Sequence, residues 1–83
     1  MSKIFLTAQS LKNLNNIRDK RTKKKIQLAL QKLSQNPRAG KKLEGKLKNN
    51  YSLRIWPYRI LYEFNSKRDI IITDIGHRKE IYR

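Results

Sequence analysis

The spacing of apolar residues changes midway along the chain, from the three- and four-residue steps of helices to the two-residue step of strands. Residues 3–7, Lys-Ile-Phe-Leu-Thr, form a short apolar run and read as a first strand. Thr7 suits a helix N-cap, its hydroxyl accepting from a backbone N–H of the first turn. Leu11, Leu14 and Ile17 then recur every three residues, which predicts the apolar stripe of an amphipathic helix. Ile26, Ala29, Leu30 and Leu33 predict a second helix, with Asp19 or Thr22 as its cap and Asn36-Pro37 as its stop. The two helices are expected to form an antiparallel hairpin, with Arg18, Lys20, Arg21, Lys23, Lys24 and Lys25 around its turn. Residues 37–50 carry Pro37, Gly40, Gly45 and Asn49-Asn50 and read as loop, with a little strand near Leu43.

Beyond residue 50 the period is two. Tyr51, Leu53 and Ile55 alternate with Ser52, Arg54 and Trp56; after Pro57, Tyr58, Ile60, Tyr62 and Phe64 alternate with Arg59, Leu61 and Glu63. A polar turn at residues 65–69 leads into Ile70-Ile71-Ile72, apolar on both faces, as in a strand covered by helices or by a partner. If Leu53, Ile55, Ile60, Tyr62 and Phe64 face the helices, then Arg54 and Arg59 project together from the opposite side. His77, Arg78 and Tyr82 are expected to curl over that side and complete a pocket. A bulge at Pro57 would change this register. The fold class is therefore α+β: one domain, residues 1–83, with a small antiparallel-rich sheet of about four strands and an N-terminal helical hairpin packed on one face.

Charge narrows the partners. Twenty-one Lys and Arg against six Asp and Glu give a formal net charge of +15 on 83 residues. Self-repulsion of that size favours polyanionic partners: nucleic acid first, an acidic protein second, an anionic membrane surface third. A disordered basic tail is disfavoured, because 37% hydrophobic content with regular spacing can build a core. There are no cysteines, hence no disulfide framework and no thiolate metal site. The apolar run at Ile4, Phe5 and Leu6 is too short for a signal peptide or a membrane span, so a cytoplasmic location is expected.

A basic, aromatic cluster without metal ligands suits RNA cleavage by the RNA's own 2′-hydroxyl. That reaction needs a base for the 2′-OH, an acid for the departing 5′-oxygen and cations for the charge on the pentacovalent phosphate. Arginine offers paired donors matched to phosphate, histidine exchanges a proton near neutral pH, and an aromatic ring can stack on an unstacked base. A two-metal nuclease needs several convergent carboxylates, and the strand region offers only Glu63, Asp69 and Asp74. No metal and no cofactor are expected. The candidate catalytic residues are Arg54, Arg59, His77, Arg78 and Tyr82, with His77 as the proton-transfer group. Lys46, Lys48, Trp56, Lys79, Arg83, Lys23 and Lys24 are the candidate RNA contacts. Taken singly, each also has an ordinary structural explanation, as a solvated strand residue, a loop histidine or a solvated helix turn.

The order strand, helical hairpin, then strands, with Y-R-I-L-Y-E followed by I-G-H-R-K-E-I-Y-R, resembles the RelE/ParE superfamily of toxins from toxin–antitoxin modules. The resemblance spans essentially the whole chain, including N-P-R-A-G after the second helix, the K-L-E-G-K-L loop and the Y-S-L-R-I strand. It implies a compact α+β domain. RelE-type members cut mRNA in the ribosomal A site, and ParE-type members poison DNA gyrase. Similarity to the RelE branch implies that Arg59 contacts phosphate and that Arg54 lies near the scissile bond. It further implies that Arg78 stabilises the leaving group or phosphate and that Tyr82 stacks on a base. Ser52 stands where some members carry a strand lysine, and His77 beside Arg78 offers a histidine base or acid instead.

The leading expectation is thus an mRNA interferase toxin acting on mRNA at the ribosome and held by an acidic antitoxin. The antitoxin is expected to cover apolar edge surface such as Ile70–Ile72. The alternatives are a gyrase inhibitor without nuclease activity and a non-catalytic basic RNA-binding protein. The set His77, Arg78 and Tyr82 favours the first, since a gyrase poison has no need of acid–base groups there.

Overall fold

The computed structural model describes residues 2–42 and 50–77. Arg78, Lys79, Tyr82, Arg83, Lys46, Lys48 and the strand expected near Leu43 lie outside the described residues. The elements run β1 (Ile4–Leu6), α1 (Ala8–Asn15), α2 (Lys20–Gln35), β2 (Lys41–Lys42), β3 (Tyr51–Ile55), β4 (Tyr58–Phe64) and β5 (Ile70–His77). The sheet has five strands rather than about four, in the order β1-β5-β4-β3-β2. Only β1 runs parallel to its neighbour; the other three pairings are antiparallel.

Both helices start at side-chain caps. Thr7 Oγ1 accepts from Ser10 N at 3.1 Å, and Ser10 Oγ donates to Thr7 O at 3.0 Å. Asp19, not Thr22, caps α2, accepting from Arg21 N at 3.2 Å and from Thr22 Oγ1 at 2.7 Å. The Thr22 hydroxyl bond, then the Arg21 amide, hold the Asp19 carboxyl below its ordinary range. The buried stripe of α1 differs from the expected one. Leu11 is 49% exposed, and the buried positions of α1 are Ser10 and Leu14, with Ile17 buried just past the helix end. A helix closes its stripe in alternating steps of four and three, which a strict three-residue repeat does not follow. Serine takes the inner position because the Thr7 backbone satisfies its hydroxyl.

Ile26, Ala29, Leu30 and Leu33 of α2 pack with Ile60, Tyr62, Ile70, Ile72 and Ile75 in one apolar cluster. The helices thus cover a single face of the sheet, α1 lying along β5 and α2 over β3. The hairpin of β3 and β4 keeps the expected register through Trp56-Pro57, with Arg54 opposite Arg59 and Ile55 opposite Tyr58. The irregularity comes later: Leu61 pairs with Asp74 while Tyr62 pairs with Ile72, so Thr73 is an extra residue in β5. Ile70–Ile72 also departs from expectation. It lies between β1 and β4, so it is interior to the sheet and not an edge an antitoxin could cover.

Tyr62 ties the connection after α2 to the sheet. Its hydroxyl accepts from Gly40 N at 2.9 Å and donates to Pro37 O at 3.0 Å. Burial raises the phenol above its ordinary value of 10.0, the Gly40 amide partly opposes this, and Tyr51 adds to it. The folded protein therefore holds this proton more tightly than the unfolded chain does. That contribution is complete below the unfolded value and is lost as pH rises through the folded one. Tyr62→Phe should cost about 1–3 kcal/mol, because two backbone groups lose their partner. Thermal melts from pH 8 upward check both points: the variant should show a shallower alkaline decline than wild type. Parallel declines would remove Tyr62 from the account.

Candidate functional site

Strand alternation and the β3–β4 register build a cationic row on the sheet face away from the helices. Arg54 and Arg59 are direct cross-strand partners, and Gly76 continues the row on β5. The next row is Lys41, Ser52 and Leu61. Ser52 and Leu61 are buried there, at 6% and 7% exposure, while Arg54 is exposed and Arg59 half-buried. A cavity of about 380 Å³ opens among Ala39, Lys41, Ser52, Arg54 and Arg59. Like charges directly opposed on a strand pair repel, and an anion between them removes that cost. Two guanidiniums at that spacing can share the oxygens of one phosphate.

Lys41 belongs to this site and was missed by pattern reading. It sits opposite Ser52, next to the strand position that lacks a lysine. Its signal was slight: a two-residue strand after Gly40 shows no period.

His77 is not brought to the arginines. It pairs with Tyr58, their rings edge-on with centroids 5.8 Å apart. Both line a separate cavity of about 530 Å³ against α1, with Asn13, Asn16 and Asp74. Asn13 Nδ2 donates to Asp74 Oδ1 at 2.6 Å and Gln9 Nε2 donates to Asn13 Oδ1 at 2.8 Å, so the lining is a connected polar chain. The bulge is the physical cause. Continued alternation from Ile70 and Ile72 would put Ile75 and His77 on the arginine face, but the extra Thr73 resets the parity. Ile75 thereby enters the core at 2% exposure, and His77 follows it to the helix side. The expectation that His77 joins Arg54 and Arg59 on one face is corrected accordingly.

Among the remaining candidates, Trp56 stands exposed at the β3–β4 turn beside the arginine row, with 59% of its surface accessible. Lys23 and Lys24 lie on α2, in the layer that covers the other face, and are separated from the arginines.

Residues 4–82 match the family described as the ParE toxin of type II toxin-antitoxin system, parDE. The chain belongs to the ParE toxin family. Solved structures agree with this. The toxin resembles a chain of the RelBE2 toxin–antitoxin complex from Mycobacterium tuberculosis with TM-score 0.80 and 26% identity, over 93% of this chain and 98% of that one. The YoeB dimer from Staphylococcus aureus matches with TM-score 0.76 and 25% identity, over 93% and 97%. The RelB–RelE antitoxin–toxin complex from Methanococcus jannaschii matches with TM-score 0.73 and 26% identity, over 94% of each chain. No curated protein sequence matches. The toxin is thus a RelE/ParE superfamily member of a toxin–antitoxin module, with a cognate antitoxin as partner. No helix among its described residues is long and apolar enough to cross a membrane.

Proposed function

We propose that the toxin is an endoribonuclease that cleaves translated mRNA in the ribosomal A site, the 2′-hydroxyl attacking the adjacent phosphate without a metal ion. The observation that carries this reading is the opposed pair Arg54 and Arg59 with Lys41 beside it, three cations lining one cavity on the sheet face away from the helices. The two arginines hold the scissile phosphate and neutralise the charge that builds on it. Lys41 supplies the strand lysine missing at Ser52. Arg78 assists the leaving group and Tyr82 stacks on a base, as the superfamily resemblance implies. Trp56, Lys46, Lys48, Lys79 and Arg83 hold flanking RNA, and Lys23 and Lys24 on α2 steer the protein to the ribosome by charge. Action on translated mRNA places the toxin in the cytoplasm, where an acidic antitoxin restrains it.

Lys41→Ala should slow cleavage about tenfold, since it removes one charge-assisted contact from a set of three. His77, facing Tyr58 and α1, holds the end of β5 rather than moving a proton. His77→Gln should therefore keep cleavage within about tenfold of wild type, with a flat pH dependence of the rate ratio across neutrality. A collapse of activity confined to the pH range where histidine titrates would restore His77 as the proton-transfer group.

Gyrase inhibition is the second reading, favoured by the ParE family match and by the position of His77 away from the arginines. Incubating the toxin with translating ribosomes and mapping mRNA 5′ ends, beside a gyrase supercoiling assay, separates the two. New mRNA ends with unaffected supercoiling support the nuclease. Intact mRNA with blocked supercoiling supports the gyrase inhibitor.

A further inference from the structure

A third cavity, of about 630 Å³, opens at the other end of the sheet from the arginine pair, between the connection after α2 and the β4–β5 turn. Its floor is Tyr51 and Phe64, with Pro37 as a wall and Arg38 and Arg68 on the rim. The rings of Tyr51 and Phe64 meet edge-on, at 78° with centroids 5.1 Å apart. Tyr51 is also stacked on Tyr62 at 5.5 Å and 19°. One ring face of Tyr51 is therefore occupied, and the two half-buried rings form a notch rather than a flat platform. A notch walled by two perpendicular rings and a proline encloses a compact apolar side chain. It offers a planar base little to stack on.

The rim adds a second, independent signal. Arg68 holds φ at 65°, the sole non-glycine residue with positive φ among the described residues. Glycine or asparagine would occupy that left-handed position at less cost. The β4–β5 turn sets that conformation, Arg68 N donating to Asn65 O at 2.9 Å and Asp69 N to Asn65 Oδ1 at 2.9 Å, and so fixes the Arg68 side chain at the edge of the cavity. Arg38 and Arg68 are both exposed and flank the apolar floor, so the complementary group is anionic on its outside and apolar at its centre.

We propose that this cavity is a docking pocket for the antitoxin, taking one aliphatic or aromatic side chain bracketed by aspartate or glutamate. The proposal rests on the family assignment, which supplies an antitoxin, and not on the nuclease reading. It places one antitoxin anchor on the helix side of the sheet, distant from the arginine row.

The test is calorimetric titration of the full-length toxin with the antitoxin encoded beside it, in wild type, Arg68→Asn, Arg68→Gly and Arg38→Ala. Arg68→Asn and Arg68→Gly relieve the backbone and should leave the melting temperature within about 5 °C of wild type or raise it. Each should weaken antitoxin binding about tenfold, with a smaller salt dependence than wild type. The antitoxin-free activity of Arg68→Asn, read as mRNA cleavage or gyrase inhibition, should be unchanged, which keeps this test apart from the site at Arg54 and Arg59. Unchanged antitoxin affinity in all three variants overturns the proposal. So does a loss confined to binding of a labelled oligouridine, which would make the pocket an RNA site.

Discussion

On the nuclease reading, Arg59→Ala should lower the single-turnover rate of mRNA cleavage by about 10²–10³-fold while the domain stays folded. Removing one preorganised contact to a developing oxyanion has losses of that order. The fold should tolerate the change, because Arg59 faces away from the core and its cross-strand neighbour is another arginine. Relief of that repulsion offsets part of any lost packing. Arg54→Ala should act in the same direction, and the double variant should lose less than the product of the two, since both grip one group. Arg59→Lys keeps the charge but not the two-pronged geometry and should recover only part of the rate. The check is quench-flow cleavage on programmed ribosomes beside a thermal melt, with growth arrest at matched expression as the cellular reading. Full activity in both single variants would remove the arginine row from the mechanism.

Most of the β3–β4 hairpin was legible in the sequence, because alternation over residues 51–64 is regular and the two-residue link leaves little freedom of register. The parity that paired Arg54 with Arg59 follows from that alone. Helix α2 was equally readable, having a cap, four apolar residues at helical spacing and an Asn-Pro stop. Two other features left no local mark. The bulge at Thr73 is set by the need to bury Ile75 against α1, a tertiary demand on a stretch of β-branched residues that fits either parity. It decided the placement of His77. The pairing of Ile70–Ile72 with β1 joins residues at opposite ends of the chain, and only the apolar character of both strand faces hinted at it. Lys41 was hidden for a different reason: a two-residue strand is too short to show a period.

Gly40→Ala carries the largest expected effect on stability. A Cβ there would lie 2.7 and 2.8 Å from two ring carbons of Tyr62, and closer still to its hydroxyl. The ring has nowhere to retreat: it is fully buried and packed against Tyr51 and Phe64, with centroids at 5.5 and 5.9 Å. Overpacking of a close-packed site typically costs 1–3 kcal/mol, and the bonds to Gly40 N and Pro37 O would stretch or break as well. The sum is about 3 kcal/mol, or on the order of 15 °C in melting temperature for a domain of this size. Activity should fall too, because Lys41 follows directly and its strand is aligned by this contact. Combining Gly40→Ala with Tyr62→Phe removes the closest colliding atom, so the double variant should be more stable than additivity allows. A Gly40→Ala protein that melts with wild type would show that the connection after α2 is not held by Tyr62.

The most direct test of the nuclease reading is cleavage of an mRNA on programmed ribosomes with a single 2′-deoxy nucleotide at the cut position. The account predicts that the all-ribose message is cut, leaving a 2′,3′-cyclic phosphate, while the 2′-deoxy message stays intact at that position. Cleavage of both messages would mean that the nucleophile comes from elsewhere, and survival of both would mean that mRNA is not the target.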